Sequence, residues 1–258
     1  MDDSKAILKG KSGRSRLEAT FHAAMEAAGH PHGLPLDACL ERLCLDGVEQ
    51  AELAPWSLET ATPATSQIHR AIQPFEGEGC AWRIAEIRTV LVGPRRFNER
   101  LDVLGSKALV HFEAFRSLLG HGWTLAADGR PPLVESDKHG GRHYYLGPLV
   151  ESFPEAWIDR GPEGPLLSQY TMRGEGRILK LRLTPRADAA NGFVALASIV
   201  SKMIRELWMD RFNAFWTQKL PDVKPTAGYP VDATRFRRQI EALAQELGLA
   251  PEAWWRRK

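Results

Sequence analysis

Cysteine is scarce in this sequence: 258 residues contain three, Cys39, Cys44 and Cys80. Their number is odd and none has C-x-x-C spacing, which argues against a disulfide framework and against a cysteine-based zinc site. A reduced, cytoplasmic compartment is the resulting expectation. Long apolar runs are missing too. The longest, such as Phe193 to Val200, fall well short of the roughly 18 to 20 residues that a membrane span needs. The opening MDDSKAILKGK is polar and has no apolar core of a signal peptide. A strong net charge is also absent, at +2 overall.

The charge is nevertheless unevenly spread. Residues 170 to 258 hold 16 Lys and Arg against 9 Asp and Glu, about +7, which leaves about −5 for the first 169 residues. A basic C-terminal third suits a polyanionic partner such as nucleic acid, although a solvated helical surface has the same composition. With 43% hydrophobic and 26% charged residues, the chain can bury a sizeable core as one large domain or two small ones.

Periodicity organises the rest. Leu17, Phe21, Met25 and Ala28 predict an amphipathic helix over Ser15 to Ala28, ended by GHPHG. Pro31 to Gly79 is rich in Pro, Thr, Ser and Ala and reads as a long irregular insertion with one short helix. AWRIAEIRTVLVGP, from Ala81, alternates and then runs apolar, which predicts a strand stopped by Gly93-Pro94. Apolar residues at three- and four-residue spacing from Phe97 to Leu119 predict one long helix. PPLVESD, Pro131 to Asp137, predicts a short strand, so strand follows helix as in a layered α/β domain. Tyr144 to Leu183 reads as β-rich, with turns at Gly161-Pro162 and Gly174 to Gly176 and a closing strand ILKLRL. Helices are predicted over about Phe193 to Trp216 and Ala233 to Leu247, before the tail PEAWWRRK.

Two acids stand where open α/β sheets collect ligands: Asp137 at the carboxyl end of a strand, and Asp188 between a strand and a helix. Each also has a structural reading, Asp137 as a turn former and Asp188 as a helix cap or first-turn acid. His139 and His143 are four apart, but Gly140 and Gly141 between them favour a turn over a metal-binding helix. The G-x-G elements at Gly77 to Gly79 and Gly174 to Gly176 lack the strand-to-helix context of a nucleotide-binding loop. Trp254, Trp255, Arg256, Arg257 and Lys258 could stack on nucleic acid, dock a partner or fray.

The stretch RADAANGFVALASIVSKMIRE, Arg186 to Glu206, resembles a segment of the type 2 ribonucleases H (ribonuclease HII). There an acid precedes a small-residue helix reading approximately A-A-S-I-x-A-K-x-x-R-D. Ala197, Ser198, Ile199, Lys202 and Arg205 fall in register, with Asp188 ten residues before Ser198. Other features follow in the family's order: DSK at Asp3 to Lys5, a strand ending in Gly93-Pro94 before a long helix, Asp137 closing the next strand, and Tyr229 in PTAGYP.

The resemblance implies an α/β fold, a ribonuclease H-like mixed sheet flanked by helices. It would occupy residues 1–217, with insertions at about 31–79 and 144–177, and a helical extension would follow over 218–258. It implies hydrolysis of the RNA strand of RNA–DNA hybrids with two divalent ions, Mg²⁺ or Mn²⁺. Asp137 and Asp188 match the third and fourth of the family's four metal-binding catalytic carboxylates. By the same resemblance Tyr229 matches the tyrosine that packs on the sugar at an RNA–DNA junction. Ser4, Lys5, Lys138, Arg142 and Lys202 are the further substrate contacts, each with a solvated-surface alternative for its charge. A monomer without membrane association is expected.

The family's first strand carries an adjacent Asp-Glu pair a few tens of residues before DSK, and this sequence contains no Asp-Glu dipeptide. The expectation is an incomplete chain, weak or inactive as it stands. Two alternatives accompany it: a non-catalytic nucleic-acid-binding protein of the same fold, and another metal-dependent nuclease of that fold, such as a resolvase or transposase relative.

Overall fold

A computed structural model describes residues 12–31, 33–47, 49–56, 83–127 and 131–257. Two compact units result, one formed by Leu104–Ile199 and the other by 12–103 with 200–257.

The first unit is built on a four-stranded mixed sheet. Its strands are β1 (Leu133–Asp137), β2 (Trp157–Glu163), β3 (Ser168–Gly174) and β4 (Arg177–Thr184). Their order is β1-β4-β3-β2: β1 runs parallel to β4, and the other two neighbours pair antiparallel. Alternation along β4 sends Leu179, Leu181 and Leu183 inward, each at 0% exposure. Burying a leucine is worth about 1.5–3 kcal/mol, so this face alone justifies the ladder. Tyr170 and Met172 of β3 join it. Helix α5 (Lys107–Thr124) adds Phe112, Leu119 and Trp123, and the short α6 (Leu146–Ser152) adds Leu149.

Sequence and structure part company at three points around this sheet and just before it. Where periodicity predicts one helix over Phe97–Leu119, there are two, α4 (Pro94–Leu104) and α5. Gly105, at φ +64°, ends the first in the left-handed conformation that favours glycine. The segment after Tyr144 opens with helix α6 instead of a strand. Gly161 and Pro162 lie inside β2 at a register shift between Arg160 and Glu163, because an edge strand tolerates the missing N–H of proline. The β2–β3 turn comes later, with the Gly164 amide bonded to the Leu167 carbonyl at 2.9 Å. Glu175 and Gly176, both at positive φ, make the tight β3–β4 turn.

The second unit is helical. Helix α1 (Gly13–Ala27) buries Leu17, Phe21, Ala24 and Met25, and α2 (Leu36–Leu43) buries Leu36, Cys39, Leu40 and Leu43. Cys39 and Cys44 are not in disulfides, and burial pushes the Cys39 thiol up to about 11. After α3 (Glu49–Leu53), Trp56 inserts among aromatics of the 28-residue α8 (Gly192–Lys219). Its ring lies edge-on to Phe212 at 4.8 Å and Phe215 at 5.5 Å between centroids, an arrangement aromatic quadrupoles favour. The short α7 (Ala187–Ala190) precedes α8, and α9 (Pro230–Glu246) adds Phe236 and Ile240 to the Trp56 cluster.

The tail over Pro251–Trp255 is docked. Asn98, 1% exposed, donates to the Glu252 and Trp255 carbonyls and accepts from the Arg257 amide. Trp254, in the short α10 (Pro251–Trp254), is 7% exposed. In place of the strand predicted from Ala81, the described residues over 83–92 form a single bridge, between Thr89 and Cys44. Residues 81 and 82 lie outside the described residues. The apolar alternation is present, but among the described residues it joins no ladder: the Thr89 amide donates to the Leu43 carbonyl at 2.8 Å and the Leu45 amide to the Thr89 carbonyl at 3.1 Å, at the end of α2.

Gly93 precedes α4 because Glu52 needs its space. The Glu52 carboxylate, 7% exposed, accepts the Arg96 amide at 3.2 Å in the first turn of that helix. A Cβ on Gly93 would stand 1.8 Å from Glu52 Oε2. Gly93→Ala should therefore cost about 1–3 kcal/mol, read as a lowered urea midpoint. A double-mutant cycle with Glu52→Ala should show the two substitutions to be non-additive; additive losses would refute the contact as the cause.

Candidate functional site

Asp137 ends β1 opposite Thr184, the last residue of β4. The Lys138 amide extends the ladder one step, to the Thr184 carbonyl at 3.2 Å. The half-buried Asp137 side chain turns onto its own loop, where Oδ1 accepts the Lys138 amide at 2.8 Å. Asp188 follows β4 by four residues, in the first turn of α7, and α7 packs against β1. Arg186, at φ +56°, makes the sharp entry into that turn. Both acids thus stand at the carboxyl end of the parallel pair, each half-buried.

A third acid, Glu135, is engaged structurally. It shares a face with Asp137 by the two-residue alternation of a strand. Its carboxylate accepts a hydrogen bond from Asn191 Nδ2 and lies 3.7 Å from Arg182 Nη1. Asn191 Oδ1 in turn accepts the Phe193 and Val194 amides at 2.8 and 3.2 Å, capping α8. Glu135 therefore ties β1 to the chain just after Asp188. The alternation in LVESD is the one sequence signal that could have marked it.

Among the described residues no group of three or more His, Cys, Asp or Glu is placed to hold a metal ion. Mg²⁺ demands six oxygen ligands in near-octahedral geometry. With Glu135 engaged elsewhere, the described residues do not by themselves form a two-ion site.

The loop after Asp137 is a turn, closed by the Arg142 amide on the His139 carbonyl at 2.9 Å, with Gly140 and Gly141 at φ +55° and +79°. The His139 ring packs edge-on to His111 and Phe115, each at 4.6 Å. Burial, with the nearby His111 and Arg142, pushes His139 down to about 4 against the pull of Asp137, so its ring is neutral near pH 7. Lys138 Nζ donates to Ser168 Oγ at 2.6 Å and lies 5.8 Å over the Tyr145 ring. The Arg142 guanidinium stands 5.9 and 6.0 Å from the Phe112 and Tyr145 rings. Both cations are thus held over aromatic faces beside Asp137.

Lys202 and Tyr229 belong to the second unit. Lys202 is half-buried on α8. Tyr229 is 62% exposed at the start of α9, and the Arg205 guanidinium lies 5.4 Å over its ring. Ser4 and Lys5 lie outside the described residues.

Buried residues that the sequence did not announce hold the Asp137 loop. The Tyr145 hydroxyl accepts the His139 amide at 2.9 Å, two residues past Asp137. The Tyr145 amide donates to Glu163 Oε1 at 2.8 Å, the Leu146 amide donates to the same oxygen at 3.2 Å, and the Tyr170 hydroxyl donates to it as well. Glu163 thereby serves the N-terminus of α6. Burial pushes the Glu163 carboxyl up, but these three donors and Arg160 outweigh it and hold the group below its ordinary value.

Glu163→Gln should lower stability at pH 7 by about 1–3 kcal/mol. The folded carboxyl titrates below its unfolded value of about 4.3. Its contribution is therefore complete above that value and is lost as pH falls through the depressed folded one. Urea midpoints at pH 7, 4 and 3 should converge for the two proteins on acidification. A gap that persists unchanged at pH 3 would refute the charge as its origin.

No protein-family model, no curated protein and no solved structure matches this chain, so the arrangement of its own residues carries the functional reading.

Proposed function

We propose that this chain is a ribonuclease HII-like endonuclease that hydrolyses the RNA strand of RNA–DNA hybrids, dependent on Mg²⁺ or Mn²⁺. Asp137 and Asp188 are the metal-binding acids in this reading. The observation that supports the proposal is the placement of Asp137 and Asp188 at the same end of a parallel strand pair. They lie 51 residues apart in sequence, in the order the ribonuclease HII resemblance requires. A mixed sheet flanked by helices is compatible with a ribonuclease H-like fold. Lys138 and Arg142, beside Asp137, supply positive charge for a phosphate backbone.

A second reading, hybrid binding without cleavage, draws on the engagement of Glu135 by Asn191 and Arg182. That leaves two acids to hold an ion.

Incubation of the full chain with a labelled RNA–DNA hybrid in Mg²⁺ and in Mn²⁺ separates the two. Under the leading proposal the RNA strand is cut, weakly because the sequence has no Asp-Glu pair, and Asp137→Asn or Asp188→Asn abolishes that cleavage. Tight hybrid binding with no cleavage in either metal would establish the second reading. Cleavage that persists in both variants would overturn the site assignment.

A further inference from the structure

The sheet has a face turned away from its core. By strand alternation it carries Trp157 and Asp159 of β2, Thr171 and Arg173 of β3, and Lys180 and Arg182 of β4. Trp157 is 73% exposed, which is unusual for so large an apolar ring. It is also held in place. Trp157 and Arg173 are direct cross-strand partners, and the Asp159 carboxylate binds both: Oδ1 accepts the indole N–H and Oδ2 accepts the Arg173 Nε–H, each at 2.8 Å. One acid thus fixes an aromatic plane and a guanidinium side by side, at little further cost in side-chain entropy on binding.

The charge of this face follows the same pattern. The face carries three acids: Asp159 is engaged as described, Glu135 by Asn191 and Arg182, and Asp137, at the far end, by the Lys138 amide. Lys180 and Arg182 are exposed, and Lys180 makes no ion pair among the described residues. The register sets the dimensions. Trp157 aligns through Arg173 with Ile178, six residues along β4 from Thr184, the partner of Asp137. At about 3.3 Å per residue and 4.8 Å per strand, Trp157 and Asp137 stand about 25 Å apart with the basic residues between them. That is long enough for several nucleotides of an unpaired strand, the scale of single-strand binding grooves.

We propose that this open sheet face is a track for the single-stranded segment flanking a hybrid, with Trp157 stacking a base and Arg173, Lys180 and Arg182 holding phosphates. The inference rests on the reading of the chain as a nucleic-acid enzyme and extends it from the acids to the path of the strand. A single strand fits better than a duplex, because only unpaired bases offer a face to a tryptophan.

Fluorescence anisotropy in EDTA tests the track without cleavage, using a labelled 12-nucleotide RNA, a blunt hybrid and the same hybrid with a single-stranded tail. Trp157→Ala should weaken the RNA and the tailed hybrid about tenfold and leave the blunt hybrid within about twofold. Trp157→Phe, which keeps an aromatic face and loses the N–H to Asp159, should restore part of the affinity. Lys180→Glu with Arg182→Glu should weaken the RNA by more than about tenfold and reduce its salt dependence. Arg116→Glu on α5, an equally exposed site off this face, should change it by less than about threefold. Thermal melts of each variant confirm folding. Wild-type affinities retained by Trp157→Ala and by the double variant would overturn the track alone. A wild-type chain that binds none of the three probes would overturn the nucleic-acid reading beneath it.

Discussion

The parallel pairing of β1 with β4 is the constraint around which the first unit is arranged. Parallel neighbours cannot be joined by a tight turn, so the chain must travel from one end of the sheet to the other between Asp137 and Arg177. It does so through α6 and the β2–β3 hairpin, and it returns along the far side of β4. This excursion makes β4 an inner strand, with its leucines in the core and its basic residues on the open face. It also gives β1 and β4 a common carboxyl end, with a strand-terminal acid on one and a helix-initial acid just after the other.

That end is held by hydrogen bonds that reach far along the chain. Glu163 stands on β2, yet through Tyr145 it determines where the backbone lies two residues beyond Asp137. A buried carboxylate with three donors is stable only while all three are present, because each lost partner leaves a desolvated charge less compensated. On the other side, Glu135 and Asn191 fix the approach to α8. The two acids of the proposed site are thus framed by two other acids with structural duties.

Much of this architecture was legible in the sequence. The strand at Leu133–Asp137, the amphipathic first helix and the long α8 all carry apolar periods strong enough to survive folding. Asp137 and Asp188 were legible as positions, since each closes or follows a strand. The ladder expected at residues 81–92 was not, because alternation records which side is buried and not whether another strand lies beside it. The Glu163–Tyr145 tie and the Asp159 clamp on Trp157 were equally hidden. Tyr145 and Glu163 are 18 residues apart and share no periodic signal. The cross-strand position of Trp157 depends on a register that bulges at Arg160, which no composition foretells.

The same sheet order carries a consequence for assembly. The β2–β3 and β3–β4 pairs close over short turns, whereas the β1–β4 pair joins residues about 47 positions apart, Leu133 with Lys180. Loop-closure entropy grows with the length enclosed, and non-local pairings are the slow ones. The three-stranded antiparallel meander can therefore form as a local unit, and β1 docks onto an edge that already exists. Asp137, at the far end of β1, is delivered to its neighbours by the most distant strand pairing in the sheet.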